Sequence, residues 1–209
     1  LPSCSFTVAP TICNAGCYSF IGSGFQNRAM PDFAVIGGGR RNVSTRNAVQ
    51  RYTTIGGGNQ NTTSSYGSSI LGGHGNTSSN LYTTVGGGFN NTASGTYSFV
   101  GSGYTNVSSG YGSFTGSGYL NTASGRFSGV ASGCKNLAQG VMSFIGAGIC
   151  NFTCNSTSGC LAIGSVVVGG VGNNTCGGTF DLATCVFTVN PTVCNAGQYS
   201  FVGGGFQNI

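Results

Sequence analysis

General acid–base catalysis needs two ionisable groups held within hydrogen-bond reach of one substrate. This chain of 209 residues carries two carboxylates, Asp32 and Asp181, and one histidine, His74. The carboxylates stand far apart in the sequence, and no acid falls at a matching position near His74, so no catalytic residue is expected and the chain does not read as an enzyme. Glycine triplets such as Gly56-Gly57-Gly58 lack the Gly-Lys-Ser/Thr ending of a phosphate loop and a helix to receive the anion, so they read as turns. Cys150, Cys154 and Cys160 match no common zinc spacing, and neither a metal nor a cofactor is expected.

The chemistry that the sequence does offer is modification. Asn-X-Ser/Thr sequons begin at Asn42, Asn61, Asn76, Asn90, Asn106, Asn151, Asn155 and Asn173. Most lie at or beside an asparagine that closes a repeat, where a solvent-facing turn would carry a glycan; covalent carbohydrate would also solubilise a chain in which only 4% of residues are charged. The ten cysteines Cys4, Cys13, Cys17, Cys134, Cys150, Cys154, Cys160, Cys176, Cys185 and Cys194 predict disulfides and an oxidising, extracellular setting. Cys134 and Cys150 are one repeat plus one residue apart, which brings them close. Arg28, Arg40, Arg41, Arg46 and Arg51 put five of the seven basic residues in one stretch. Of these, Arg40, Arg41, Arg46 and Arg51 form a candidate interaction loop for an acidic glycan or a neighbouring filament strand; nucleic acid would need a broader basic surface.

These residues are positioned by a repeat. A ten-residue phrase, aromatic-small-apolar-apolar, then three mostly Gly or Ser positions, then a closing Asn, recurs with a period of fifteen residues. Examples are YSFIGSGFQN ending at Asn27, YTTVGGGFNN at Asn91 and MSFIGAGICN at Asn151. Such units are stable only when stacked. Glycine density excludes helix, so the fold class is an all-β parallel solenoid or β-roll of about fifteen residues per coil, possibly laterally associated. The second and fourth phrase positions (Ser/Thr, Ile/Val) share one strand face and the aromatic first and third share the other. Apolar mass on both faces implies burial inside the coil and against a further surface. The aligned rings then read as packing rather than as a binding groove. A threonine file for ice binding is suggested only by Thr53, Thr54, Thr83 and Thr84, in coils that are not adjacent.

A longer period lies above the first. Residues 1–27 reappear near the end, with Leu1 aligned to Leu182, Cys4 to Cys185, Cys13 to Cys194 and Asn27 to Asn208, a constant offset of 181. The expected organisation is a junction and first coil at 1–17, a regular solenoid at 18–151, an irregular Cys-rich junction at 152–198, and the start of the next module at 199–209. The segment lacks an initiator Met and reads as part of a longer tandem array. No apolar stretch is long enough for a membrane helix.

The run VGGGFNNTASGTYSFVGSG at 85–103 resembles the head repeats of trimeric autotransporter adhesins of the YadA type, over about residues 18–151. That resemblance implies left-handed parallel β-rolls of fourteen to fifteen residues per coil, associated as trimers, and an exterior location. The cysteines depart from the family pattern, as does the absence of stalk heptads and of an anchor-strand pattern. Sequons and disulfides point instead to a eukaryotic secreted protein or a virus with a eukaryotic host. The sequence therefore predicts a structural subunit of an extracellular glycosylated fibre or appendage that self-associates; the alternative is an adhesin or viral fibre head binding a host receptor or glycan.

Overall fold

A computed structural model describes residues 12–45, 51–153, 163–170 and 199–205, together with the backbone of four further strands, Thr175–Cys176, Phe180–Asp181, Val186–Phe187 and Val193–Cys194. Each strand is two residues long, and two parallel sheets run along the molecule. One has eleven strands, from Phe20–Ile21 to Phe201–Val202; the other has ten, from Cys13–Asn14 to Phe152–Thr153. Every regular coil gives one strand to each sheet, and successive coils pair fifteen residues on, as Thr84 with Phe99 and Thr92 with Val107. The chain thus forms an all-β parallel solenoid of about nine turns with about fifteen residues per coil.

The coil closes in so few residues because two positions in it, besides the last glycine of the triplet, take left-handed backbone. One is the first phrase residue, as in Tyr82 (φ 54°) and Tyr97 (φ 60°); the other precedes the closing Asn, as in Arg41 (φ 54°) and Leu120 (φ 55°). Left-handed φ in a non-glycine residue costs on the order of 1–3 kcal/mol, and neighbouring coils offset it. The Tyr97 amide donates to Leu81 O at 2.9 Å, and the Tyr97 ring stacks on Tyr82 with centroids 5.4 Å apart. At Gly67 and Gly112 glycine takes the left-handed place, and Tyr66 and Tyr111, one residue earlier, keep the ring file continuous in edge-on geometry.

Inside, the second and fourth phrase positions are buried as expected. Ile36, Ile55, Ile70, Val85, Val100, Val130, Ile145 and Val167 form the aliphatic file, with small residues such as Ala93 and Ala123 facing it from the second sheet. Core hydroxyls pair across the coil in several turns: Ser44 with Thr53 at 2.6 Å, Ser78 with Thr83 at 2.7 Å and Ser108 with Thr115 at 2.8 Å. The third phrase position points outward and none of the described residues fully covers its rings: Phe20 is 57% exposed, Phe99 39% and Phe144 40%. The far wall of the coil is therefore not the second surface that the two-faced strands imply.

Irregular segments leave the sheets in register. Val35 pairs with Thr54, a step of 19, so the four extra residues fall between Thr45 and Arg51. The stretch expected as an irregular junction supplies Val166–Val167 to the longer sheet, and Phe201–Val202 pairs directly with it. Two small antiparallel ladders, Thr175–Cys176 with Val193–Cys194 and Phe180–Asp181 with Val186–Phe187, come from the residues between.

Candidate functional site

The closing asparagines do not face solvent. Asn27, Asn42, Asn61, Asn76, Asn91, Asn106, Asn121, Asn136 and Asn151 are all buried, in one file along the solenoid. Each side-chain oxygen accepts the backbone N–H of the next asparagine, from Asn42 N to Asn27 Oδ1 at 3.0 Å through to Asn151 N to Asn136 Oδ1 at 2.9 Å. Each amide nitrogen donates twice. Asn106 Nδ2 reaches Ser102 O in its own coil and Gly118 O in the next, both at 2.9 Å. Both hydrogens of Nδ2 are thereby used, and a glycan on Nδ2 would have to replace a hydrogen already donated inside the core. The expectation of solvent-facing sequons is corrected for Asn42, Asn61, Asn76, Asn106 and Asn151. Asn90, in the left-handed position before Asn91, is exposed and open to modification. Asn155 and Asn173 lie outside the described residues.

A signal for this ladder is present in the sequence. Asn27, Asn121 and Asn136 close their phrases without Ser or Thr two places on, which a sugar site would require. The residue two places after each ladder Asn is the small inward residue of the second sheet, such as Ser44, Thr63, Ala93 or Ala123. Where that residue is Ser or Thr, two adjacent core files spell a sequon.

The candidate arginines are separated rather than gathered. Arg40 and Arg41 are exposed on the glycine turn, Arg40 with its guanidinium 5.9 Å from the Phe25 ring centroid and Arg41 donating from Nε to Gln26 Oε1 at 2.9 Å. Arg51 sits on the turn at the other side of the coil, 3.8 Å from Asp32 Oδ2. Arg46 lies outside the described residues. Of the three described arginines, Arg40 and Arg41 thus share one exposed edge and Arg51 stands on the other.

Of the cysteines, Cys13 is half-buried and Cys17 exposed, and neither is bridged. Cys150 donates its N–H to Cys134 O at 2.9 Å, so the expected closeness of this pair holds for the backbone. Cys176 pairs in register with Val193, and Cys194 with Thr175. Cys4, Cys154, Cys160 and Cys185 lie outside the described residues. His74 belongs to the glycine-turn file, stacked on Phe89 at 4.9 Å with Nδ1 3.2 Å from Asn59 Nδ2. Among the described residues no three His, Cys, Asp or Glu gather in one place, and no helix is long and apolar enough to cross a membrane.

What the coil presents outward is periodic. One edge carries stacked rings from Tyr18 to Phe127, the other carries His74, Phe89, Tyr104 and Tyr119, with neighbouring centroids about 5 Å apart. The second sheet carries a threonine file missed in the sequence, Thr62, Thr77 and Thr92 on adjacent coils, which Val107 interrupts and Leu137 and Phe152 end. No protein-family model matches this chain, and no curated protein is significantly similar to it.

Proposed function

We propose that the chain is a structural rod of an extracellular fibre or appendage, built from tandem solenoid modules that associate side by side. The observation that carries this reading is the division of the coil. Its interior is filled by an asparagine ladder and a one-residue-wide aliphatic file, while the outward third phrase position leaves Phe20, Phe99, Phe114 and Phe144 uncovered. Uncovered apolar stripes on a surface with few charges favour association with another apolar surface. Ten cysteines support an oxidising exterior, and the rhythm shared with YadA-type heads supports an exposed location. N-linked carbohydrate, among the described sequons, is assigned to Asn90 alone.

Electron microscopy and light scattering on the secreted full-length product test the reading. Laterally bundled rods are the expected result; separate single rods at every concentration would overturn the side-by-side association. The second reading, an adhesin or fibre head, draws on the exposed Arg40–Arg41 edge. Arg40→Ser with Arg41→Ser would then abolish binding to a sulfated glycan while leaving assembly intact, and unchanged binding would count against it.

A further inference from the structure

The longer sheet has an edge strand at Phe20–Ile21, hydrogen-bonded on one side to Val35–Ile36. Its copy 181 residues later, Phe201–Val202, is the last strand of the same sheet and is bonded on its other side, to Val166–Val167. Three backbone bonds make that joint: Val166 N–H to Ser200 O at 2.8 Å, Val168 N–H to Val202 O at 2.9 Å and Tyr199 N–H to Ile163 O at 2.8 Å. Their counterparts at the first coil are Ser19 O, Ile21 O and the Tyr18 N–H. The two copies also match in conformation, with Tyr18 at φ 55° and Tyr199 at φ 50°.

The core tells the same story from both sides. Ile21 packs on the cluster of Ala29, Ala34, Ile36 and Ile55 that follows it, whereas Val202 packs on the cluster containing Ile145 and Val167 that precedes it. These are one position of the repeat, seen once with its following neighbour and once with its preceding one. Both are half-buried, as an aliphatic residue at the open end of a core file must be.

We infer that the Tyr18–Ile21 edge is a docking surface whose occupant is the coil equivalent to residues 163–170 of another copy of the module. Successive modules then share one uninterrupted parallel sheet, and the aliphatic residue at the end of one core file packs on the first of the next. This inference rests on the tandem-array reading for its occupant, and on the pairing of Val166 with Phe201 for its geometry.

Hydrogen exchange on this 209-residue chain tests the geometry without any filament. The amides of Val166, Val168 and Tyr199 are expected to be protected to within tenfold of Phe144 and Gly146, which bond one coil earlier. Val202→Asp is expected to lower protection at Val166 and Val168 by tenfold or more while leaving Thr84 unchanged. Exchange of those amides at the rate of an open loop, or a Val202→Asp variant that changes nothing, would overturn the joint. Images of the full array then test the occupant: an unbroken rod through each boundary supports it, and a hinge at every module overturns it. If no filament forms while the three amides stay protected, the fibre reading fails and the joint stands.

Discussion

At the scale of single residues, the closing asparagine decides most about this protein. The period was legible because the Asn returns at every coil, but its meaning was not, because an Asn followed by a small hydroxyl residue reads identically as a glycan site and as two neighbouring core positions. Burial separates the readings. Asn106→Ala would leave the buried Asn121 N–H without its Oδ1 acceptor and take one of two donors from the Gly118 carbonyl, which keeps the Tyr104 N–H, and is expected to destabilise the chain by about 2–4 kcal/mol in urea denaturation. When the chain is secreted from a eukaryotic cell, glycopeptide mapping should find sugar at Asn90 and none at Asn42, Asn61, Asn76, Asn106 or Asn151. Sugar on any of these five in folded protein would contradict the ladder. Tyr82 gives a pH test. Partial desolvation of its half-exposed ring first, then the phenols of Tyr66 and Tyr97, hold its pKa above the usual 10.0, so the neutral phenol is favoured in the folded state. Its contribution is fully present below pH 10.0 and is lost as pH climbs through the raised folded value. The urea midpoint should fall over that alkaline range, and less steeply in Tyr82→Phe.

At the scale of the coil, alternation predicted which side chains point inward, since Thr83 and Val85 are buried while Tyr82 and Thr84 are not. Sequence did not show that left-handed backbone would fall on Tyr and Phe, because propensity assigns that conformation to glycine and asparagine; stacking against adjacent coils overrides it. The third Gly of each triplet is less replaceable. Gly103 has φ +98°, and a Cβ there would lie 2.5 Å from Asn106 Nδ2 and against the Gly118 carbonyl. Gly103→Ala is expected to cost more than about 3 kcal/mol. Ser98 is the contrasting case: it faces Ala93 where the preceding coil pairs Ser78 with Thr83, and its buried hydroxyl has no partner. Ser98→Ala should stabilise the chain by about 1 kcal/mol. The same denaturation series checks both, and a destabilised Ser98→Ala would refute the account of that hydroxyl. The arginines show the limit of reading along the chain. Arg41 and Arg51 are close in sequence, yet the strand Val43–Ser44 lies between them and places them on opposite turns of the coil.

At the scale of the whole molecule, the two-level repeat becomes a rod whose sheet passes through the region that composition marks as a junction. Cysteine content marks residues 152–198 as a junction, but the strand that matters there is Val166–Val167, plain in composition and placed by register alone. The proposed side-by-side association would run through the apolar Phe99, Phe114 and Phe144 and so would not depend on ion pairs. Its midpoint concentration in sedimentation should therefore change little with sodium chloride and fall when sulfate is added. A steep weakening with sodium chloride would point to the arginine edge instead. The regular pairing offset has a last consequence, for synthesis. Fifteen residues separate the partners in nearly every rung, so the chain has very low relative contact order, and loop closure costs the same small entropy each time. At ribosomal speeds of about 5–20 residues per second, one coil's worth of chain emerges in about 1–3 s, far longer than a short loop needs to close. Each finished coil can template its successor while translation continues, so the rod can lengthen in step with the ribosome and never expose more than its newest turn.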